Sequence, residues 1–359
     1  MNFGCKGPRE WNSLGSNELL CVKEEQDLGM IVCDDIKVVK QIMDVESIGK
    51  ENKTSITEFI LLGFSDIPHL QLLISVTVFL IFMISVLGNF MFLILVSTDP
   101  HLQKPMYFFL SNLSFLDICN TSVSLSTLLH SLLTGKTLIS FSLCLTQLYF
   151  FISFLGIEIF LLTAMAYDRY VAICNPLRYV LIMNRRICVL LSSVSWIIGF
   201  MDVIPHIFLT SQFSFCRGNE INHFFCDFSV LLKLSCSDMS YIETVVFTEG
   251  VFVSFIPFGL TLTSYVCIIS SILKMCSTKG RYKAFSTCSS HLTIVILFYG
   301  TLICVYIRPS STYAPDQDKF FSLLFTALIP MLNPIIYSLR NEEVKRALRK
   351  YVPMSHNGE

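Results

Sequence analysis

Residues 70–98 read LQLLISVTVFLIFMISVLGNFMFLILVST and contain no charged side chain. A membrane-spanning α-helix needs about 20 mostly apolar residues, because the hydrocarbon core is roughly 30 Å thick and each residue adds about 1.5 Å. The stretch exceeds that length and is far longer than the apolar segments of a soluble α/β protein. It therefore predicts a transmembrane helix, and the fold depends on how often such a stretch recurs.

Similar stretches recur along the whole chain. The seven predicted spans are Leu70–Thr98, Tyr107–Leu133, Thr137–Tyr167, Ile187–Ser211, Thr244–Leu273, Ala284–Ile307 and Phe320–Leu339. None of them alternates apolar and polar residues as the strands of a membrane β-barrel do. The chain is 53% hydrophobic and only 15% charged, which is a poor mixture for a soluble protein. The predicted fold class is an all-α membrane protein, a seven-transmembrane helix bundle.

The distribution of Lys and Arg predicts the orientation of the bundle. With the N-terminus outside, the inner loops and tail hold most of these residues, and the outer loops hold only Lys136, Arg217, Lys233, Arg308 and Lys319. We therefore expect a multi-pass plasma-membrane protein with an extracellular N-terminus. The basic cluster from Arg340 to Lys350 predicts a short amphipathic eighth helix on the inner leaflet. The net charge of −1 gives no reason to expect a nucleic-acid partner.

Three regions are predicted along the chain: an extracellular tail at residues 1–54, a transmembrane domain at 55–341, and a cytoplasmic tail with a short helix at 342–359. The extracellular tail lacks the pattern of a secretory signal, so the first helix is expected to direct membrane insertion. Residues 1–42 are predicted to be either a gene-model extension or a disordered tail. Asn52-Lys53-Thr54 is a glycosylation sequon just before the first helix, so Asn52 is predicted to carry a glycan.

Four cysteines fall on the predicted outer side: Cys144, Cys216, Cys226 and Cys236. The oxidising environment outside the cell makes all four disulfide candidates. Four cysteines allow three pairings, and their spacing alone does not select one.

Four motifs occur at predicted helix ends. They are PMYFFL at 105–110, MAYDRYVAIC at 165–174, KAFSTCSSHL at 283–292 and PMLNPIIYSLRN at 330–341. In this order they resemble the olfactory receptors, a branch of the rhodopsin-like G-protein-coupled receptors, and the resemblance spans Thr54 to about Tyr351. The short third outer loop, Pro309–Lys319, resembles the tetrapod-type (class II) group. The resemblance implies an odorant receptor that is not an enzyme, needs no cofactor, and activates a stimulatory G protein to raise cyclic AMP.

The resemblance also assigns roles to residues of these motifs. Arg169 is expected to leave its neighbour Asp168 on activation and to contact the G protein, with Tyr170 completing the motif. Pro334, in the segment Asn333 to Tyr337, permits a bend in the seventh helix. Tyr337 is expected to swing towards Tyr265 in the active state. The family disulfide pattern would join Cys144 to Cys226 and Cys216 to Cys236.

The ligand site is expected among the outer halves of helices three, five and six. On helix three the predicted lining is apolar, and Tyr299 on helix six is the predicted ligand-sensing side chain. An amine receptor would carry an acid at the place of Phe151, so the expected ligand is small, mostly apolar and uncharged. The helix-three residues are Leu148, Phe151, Ile152 and Leu155.

Acidic residues inside a membrane are costly and usually functional. Asp117 and Glu158 are predicted to lie close together and to bind a sodium ion that favours the inactive bundle. The alternative is a protonated, hydrogen-bonded pair without an ion. Asp202 on helix four receives no role from the motifs. It is expected either to face Trp196 or His206 or to be a solvated site under the outer loop.

Three other functions remain as alternatives. An enzyme has little support, because no nucleotide-binding glycine loop or zinc spacing is present and His291 stands as an isolated histidine near the cytosolic side. A transporter or channel fits the hydropathy, but the seven unequal spans show no internal repeat. A rhodopsin-like receptor for a peptide or lipid fits the helix-end motifs except the segment from Lys283 to Leu292.

Overall fold

The computed structural model describes residues 57–63, 68–134, 137–215, 218–236, 244–245, 248–306 and 315–351. The predictions for the tail up to residue 54, for Asn52 and for Cys216 lie outside this part of the chain.

Within the described residues, seven long helices form the bundle, and they are called α1 to α7 in chain order. The first four are α1 (Pro68–Thr98), α2 (Pro105–Thr134), α3 (Phe141–Cys174) and α4 (Arg185–Ser211). The last three are α5 (a π-helical stretch at Val251–Phe255 continued by Ile256–Leu273), α6 (Thr278–Tyr306), and α7 (Pro315–Leu323, a π-helical stretch at Leu324–Leu328, then Ile329–Arg340). The predicted fold class is confirmed.

Six of these helices, all except α2, are long and apolar enough to cross a membrane by length and composition. Helix α2 has 30 residues and is therefore about 45 Å long, which also exceeds the hydrocarbon core. Its buried face carries polar side chains such as Ser114, Asn120 and Thr121, which lower its mean hydropathy. These side chains face the bundle, where polar groups find partners, so α2 spans the membrane as a polar-lined helix.

Each π-helical stretch is followed by an α-helical segment whose second residue is a proline. Pro257 follows Val251–Phe255 and Pro330 follows Leu324–Leu328. Proline lacks an N–H donor and its ring clashes with the carbonyl four residues earlier, so the helix widens locally at these points. The two wide turns lie in the halves of α5 and α7 nearer the predicted outer side.

The end of the bundle that the sequence predicts to face outwards, called the outer side below, carries a small sheet that was not predicted. Its central strand, β1 (Glu58–Leu61), pairs antiparallel with β2 (Thr137–Ser140) and parallel with β3 (Glu220–Ile221). The assignment of residues 137–140 to the third transmembrane helix is therefore wrong, because these residues pair with β1 and α3 begins only at Phe141. The sheet ties the N-terminal segment to two outer loops.

The segment after β1 is fixed by contacts from distant parts of the chain. Gly63 has a φ of +56°, which favours glycine, and its carbonyl accepts a hydrogen bond from the buried Lys319 at 2.7 Å. The Gly63 amide donates to the carbonyl of His223 at 3.3 Å. Burial and the charge of Lys319 lower the pKa of His223 to about 3, so this imidazole stays neutral. The N-terminal segment, the second outer loop and α7 thus meet at one point.

Helices α3 and α4 approach closely at a pair of glycines. A Cβ atom on Gly199 would lie 2.4 Å from Cγ1 of Ile157 and 2.9 Å from its main-chain nitrogen, so only glycine fits. Small residues at a helix crossing let the two backbones come together, which is a common basis of packing in membranes.

A further helix, α8 (Glu342–Tyr351), follows α7 in the segment where the basic cluster predicts it. The carboxylate of Glu343 accepts hydrogen bonds from Lys104 at 2.6 Å and from the hydroxyl of Tyr107 at 2.9 Å. Burial raises the pKa of Glu343, but these two hydrogen bonds outweigh it and leave the pKa below its ordinary value. The start of α8 is thereby fixed to the start of α2.

Candidate functional site

The outer half of the bundle contains a buried cluster of aromatic rings. The ring of Phe151 on α3 lies 4.7 Å from Phe225 of the second outer loop and 6.1 Å from Phe325 on α7. Phe325 in turn lies 5.5 Å from Phe298 on α6. These separations are typical of favourable tilted and edge-to-face pairs. One apolar region therefore touches α3, α6, α7 and the outer loop.

Tyr299 lies beside this aromatic cluster with its ring 4.6 Å from Phe258 on α5 and 5.3 Å from Phe298. Its hydroxyl lies near those of Thr163 on α3 and Thr261 on α5. It forms no hydrogen bond with any described residue, although its oxygen is buried. A buried donor without a partner is costly, so a polar group of a ligand or a water would gain from meeting it.

The predicted helix-three lining is only partly brought together. Phe151, Ile152 and Leu155 pack in the main core of the bundle with Tyr299. Leu148 belongs instead to a second apolar cluster beneath the outer loops, which includes Phe59 and Leu61 of β1. Ile152 packs against both clusters, so it lies between them. The bundle core, rather than the outer cluster, holds most of the predicted ligand site.

A disulfide joins Cys144, at the start of α3, to Cys226 in the second outer loop, with their Cα atoms 5.5 Å apart. The main-chain amide of Cys226 also donates to Oε1 of Gln147 at 3.0 Å. Phe225 of the aromatic cluster directly precedes Cys226 in the loop, and Phe228 lies two residues after Cys226. Cys236 is also disulfide-bonded, and the prediction that Cys216 is its partner falls outside the described residues.

At the inner end of α3 the side chain of Asp168 is fully buried and has two partners. Nη2 of Arg169 lies 2.5 Å from Oδ2 of Asp168, and the hydroxyl of Tyr179 donates to Oδ1 at 2.8 Å. Burial and the charge of Asp168 raise the pKa of Tyr179, so this hydroxyl remains a donor. We call these three residues the inner lock. Arg169 is held by its neighbour here, as in the resting state implied by the sequence.

Tyr265 on α5 forms a hydrogen bond with Nδ1 of His291 on α6, and the two rings stack. The interpretation of His291 as an isolated histidine is therefore wrong, because it is completely buried and joins two helices. The hydroxyl of Tyr337 has no hydrogen-bond partner among the described residues. Tyr265 is thus paired with α6 rather than with Tyr337, whose meeting with Tyr265 was expected only for the active state.

The interior of the bundle holds the two acids of α2 and α3. Oδ2 of Asp117 accepts a hydrogen bond from Nδ2 of Asn333 at 2.9 Å. The carboxyl group of Glu158 lies close enough to Asp117 for the two groups to interact electrostatically. Within the described chain, Oε1 of Glu158 and Oδ1 of Asn333 are buried without a hydrogen-bond partner. Free carboxylate and amide oxygens are the donors that hard cations prefer, so this residue set fits a small cation.

Asp202 has ionisable neighbours in the outer half of the bundle. Nε2 of His206 lies 2.5 Å from Oε2 of Glu249, which precedes α5 by two residues, and this is within ion-pair distance. The carboxylate of Asp202 is close enough to that of Glu249 for the two negative charges to repel each other. Trp196, the other candidate neighbour, donates instead to Oδ1 of Asn112 at 3.2 Å. Among the described residues no group of three or more His, Cys, Asp or Glu side chains could hold a metal ion.

The fold and these features define a seven-helix membrane receptor, with an aromatic cluster at one end and a closed ion pair at the other. The family model for olfactory receptors matches residues 78–354. Human olfactory receptor 2AP1 is 50% identical over 303 residues, which cover 84% of this chain and 98% of that relative. Rat olfactory receptor 1f45 is 47% identical over 303 residues, which cover 84% of this chain and 97% of that relative. Human olfactory receptor 1C1 is 46% identical over 301 residues, which cover 84% of this chain and 96% of that relative.

The chain belongs to the olfactory receptor family. This confirms the family that the four helix-end motifs indicate, and it places the chain among receptors rather than enzymes. With its apolar helices, membership also identifies it as a multi-pass plasma-membrane protein.

Proposed function

We propose that this receptor binds small, mostly apolar and uncharged odorants in the outer half of the bundle and activates a stimulatory G protein, which raises cyclic AMP. Its N-terminus then lies outside the cell and the inner lock faces the cytoplasm. The observation that carries the proposal is the buried aromatic cluster around Phe151, which joins α3, α6, α7 and the disulfide-anchored loop. A ligand among these rings would act on several helices at once.

The experiment is a screen of a volatile panel in cells that express the full chain with a stimulatory G protein and a cyclic-AMP reporter. A response that requires both the receptor and this G protein supports the proposal. Responses that persist with the G protein removed, or that appear only with an inhibitory G protein, contradict it.

The lining of the site predicts the charge of its agonists. Phe151 stands where a cation-binding acid would be needed, so agonists should be neutral and of roughly micromolar potency, given the limited binding energy per atom of small ligands. The measurement compares each agonist with a matched pair, a tert-butyl compound and its trimethylammonium analogue. We expect activity only from the neutral member.

The acids near α5 provide the control for this prediction. If the permanent cation is the better agonist and Glu249→Gln abolishes its effect, the ligand lies at the edge formed by Asp202, His206 and Glu249. The assignment to the aromatic cluster would then be wrong.

We further propose that Asp117 and Glu158 share a sodium ion that favours the resting bundle. Two carboxylates in a poorly solvated site cannot both stay ionised without a cation or a proton between them. The unpartnered oxygens of Glu158 and Asn333 support the ion, since a protonated, fully hydrogen-bonded pair would use them. A cation shifts the equilibrium only by its differential affinity for the two states.

Replacing sodium by a large organic cation in a membrane assay of G-protein activation should therefore raise basal activity and agonist potency together. We expect a change of about fivefold, at the low end of typical allosteric coupling. Asp117→Asn and Glu158→Gln should signal differently from the wild type and no longer respond to the exchange. An unchanged wild type, with both variants still altered, would favour the protonated pair.

A further inference from the structure

A groove of about 510 Å³ lies on the outside of the bundle where α3, α4 and α5 meet. It lies within the predicted membrane spans, so lipid rather than water surrounds it. Its rim is exposed, with Tyr167 41%, Val194 41% and Leu260 56% accessible. The groove is separate from the aromatic cluster, whose rings do not line it.

The floor of the groove is effectively apolar. It is built from small residues of three helices, Ala164, Ser195 and Ser264. The hydroxyls of Ser195 and Ser264 each donate to a carbonyl of their own helix at 2.8 Å, so they offer little to a ligand. A smooth floor of small side chains suits a rigid, flat molecule, because such a molecule makes many contacts without losing internal freedom.

Polarity changes along the groove. Tyr170 lies about 6 Å along the axis from the inner end of α3 at Cys174, whereas Phe160 lies about 21 Å from it, at 1.5 Å per residue. Tyr167 and Tyr170 place their rings 6.3 Å apart at the inner end, where tyrosine hydroxyls meet the membrane interface. Phe160 and Leu260 line the deeper end. The groove therefore has one polar end at the inner interface and an apolar body towards the bilayer centre.

We propose that this groove binds a membrane sterol of the inner leaflet, with its hydroxyl near Tyr167 and Tyr170 and its ring system on the small-residue floor. A sterol combines one terminal hydroxyl with a flat, rigid apolar body, which matches the polarity of the groove and its floor of small side chains. A flexible acyl chain would lose rotational freedom on binding and offers no hydroxyl. The segment Leu162 to Arg169 also matches a short pattern suggested for cholesterol contact.

The groove covers a seam that joins α3 to α5. Thr163, which lines it, has its hydroxyl 3.2 Å from that of Thr261 and 3.3 Å from the carbonyl of Pro257. At the inner end Tyr170 adjoins Arg169 of the inner lock. A sterol across this seam binds the arrangement described here and stabilises it, so it shifts the receptor towards the resting state by its differential affinity.

The first test uses membranes that contain the full chain and a photoreactive, clickable cholesterol analogue. We expect labelled peptides from α3 around Phe160–Tyr170 and from α5 around Leu260–Cys267. Ser264→Phe fills the floor and should reduce labelling about tenfold, equivalent to about 1.4 kcal/mol of affinity. The control is Leu262→Phe, a change on an exposed face of the same helix outside the groove, which should leave labelling unchanged.

Excess cholesterol should compete with the probe, and its mirror image should not, because the two have the same bulk effects on a membrane. If Ser264→Phe fails to reach the surface, Thr263→Phe, at an exposed lining position, replaces it. Equal labelling of Ser264→Phe and Leu262→Phe, equal competition by the two enantiomers, or displacement only by odorants would each overturn the proposal.

The second test measures basal signalling after cyclodextrin removes sterol. Basal activity should rise in the wild type and in Leu262→Phe, and sterol repletion should reverse it, whereas Ser264→Phe should not respond. An equal response of all three would show a bulk membrane effect and contradict the regulatory role. The labelling test needs no G protein, so failure of the proposed coupling leaves the sterol site independently measurable.

Discussion

Replacing Arg169 with alanine should abolish agonist-stimulated cyclic AMP while agonist binding stays measurable. The side chain of Arg169 is held at the inner end of α3 by Asp168, far from the aromatic cluster. If activation releases this guanidinium to contact the G protein, alanine removes a contact that exists only in the active complex. The loss then falls on coupling and not on ligand affinity. The measurements are cyclic AMP, surface level and binding of a labelled agonist in the same cells.

The control for this prediction must separate coupling from folding. Alanine leaves Asp168 buried with Tyr179 as its remaining partner, and a buried charge that loses its ion-pair partner can destabilise the protein. Arg169→Gln keeps hydrogen-bond donors beside Asp168 and should restore surface level without restoring signalling. Arg185→Ala, an exposed arginine at the start of α4, should signal normally. Cyclic-AMP responses of Arg169→Ala at normal surface level would exclude the proposed role.

The transmembrane helices were predictable because they depend on length and hydropathy, which are local properties of the sequence. The residues at which the helices begin and end were harder to predict. Residues 137–140 are as apolar as the helix that follows them, yet they form β2 because β1 supplies a partner more than 70 residues away. A strand of four residues has no local signal strong enough to compete with a long apolar pattern. Residues 58–61, which form β1, were likewise predicted only as part of the transmembrane domain ahead of the first span, without a strand.

The motifs identified the family and pointed to the residues of the inner lock, but they did not show which side chains meet. His291 lies inside the motif at residues 283–292 and was interpreted as isolated. Nothing in the sequence shows that His291 on α6 faces Tyr265 on α5. The pairing of His206 with Glu249 was equally hidden. A helical pattern shows which residues share a face, and the rotation and packing of neighbouring helices decide what that face contacts.

The ligand site shows the same limit. Leu148, Phe151, Ile152 and Leu155 lie on neighbouring turns of one helix, so the sequence groups them together. The second outer loop separates them, because β1 and this loop cover Leu148 while Phe225 reaches the ring of Phe151. Loop side chains that enter a helix bundle leave no periodic signal in the sequence. Phe225 was missed for this reason. Phe325 was missed because it lies on α7, outside the three helices expected to form the site.

Replacing either Cys144 or Cys226 with serine should block delivery of the receptor to the cell surface, and the double variant should be no worse than either single variant. The bond closes a loop with a sequence separation of 82, for which chain-entropy estimates give about 4 to 5 kcal/mol. This is a large part of the roughly 5 to 15 kcal/mol by which a protein is normally stable. The two substitutions remove one shared bond, so their effects should not add.

The surroundings of this disulfide sharpen the expectation. Gln147, one turn along α3, accepts from the amide of Cys226 and donates to the carbonyl of Val123 and the hydroxyl of Thr127, both at 2.9 Å. These contacts depend on the loop position that the disulfide fixes. Surface staining of Cys144→Ser, Cys226→Ser and the double variant, beside the exposed free cysteine variant Cys304→Ser as control, provides the measurement. Clearly additive losses, or an equal loss in Cys304→Ser, would show that the pairing does not govern delivery.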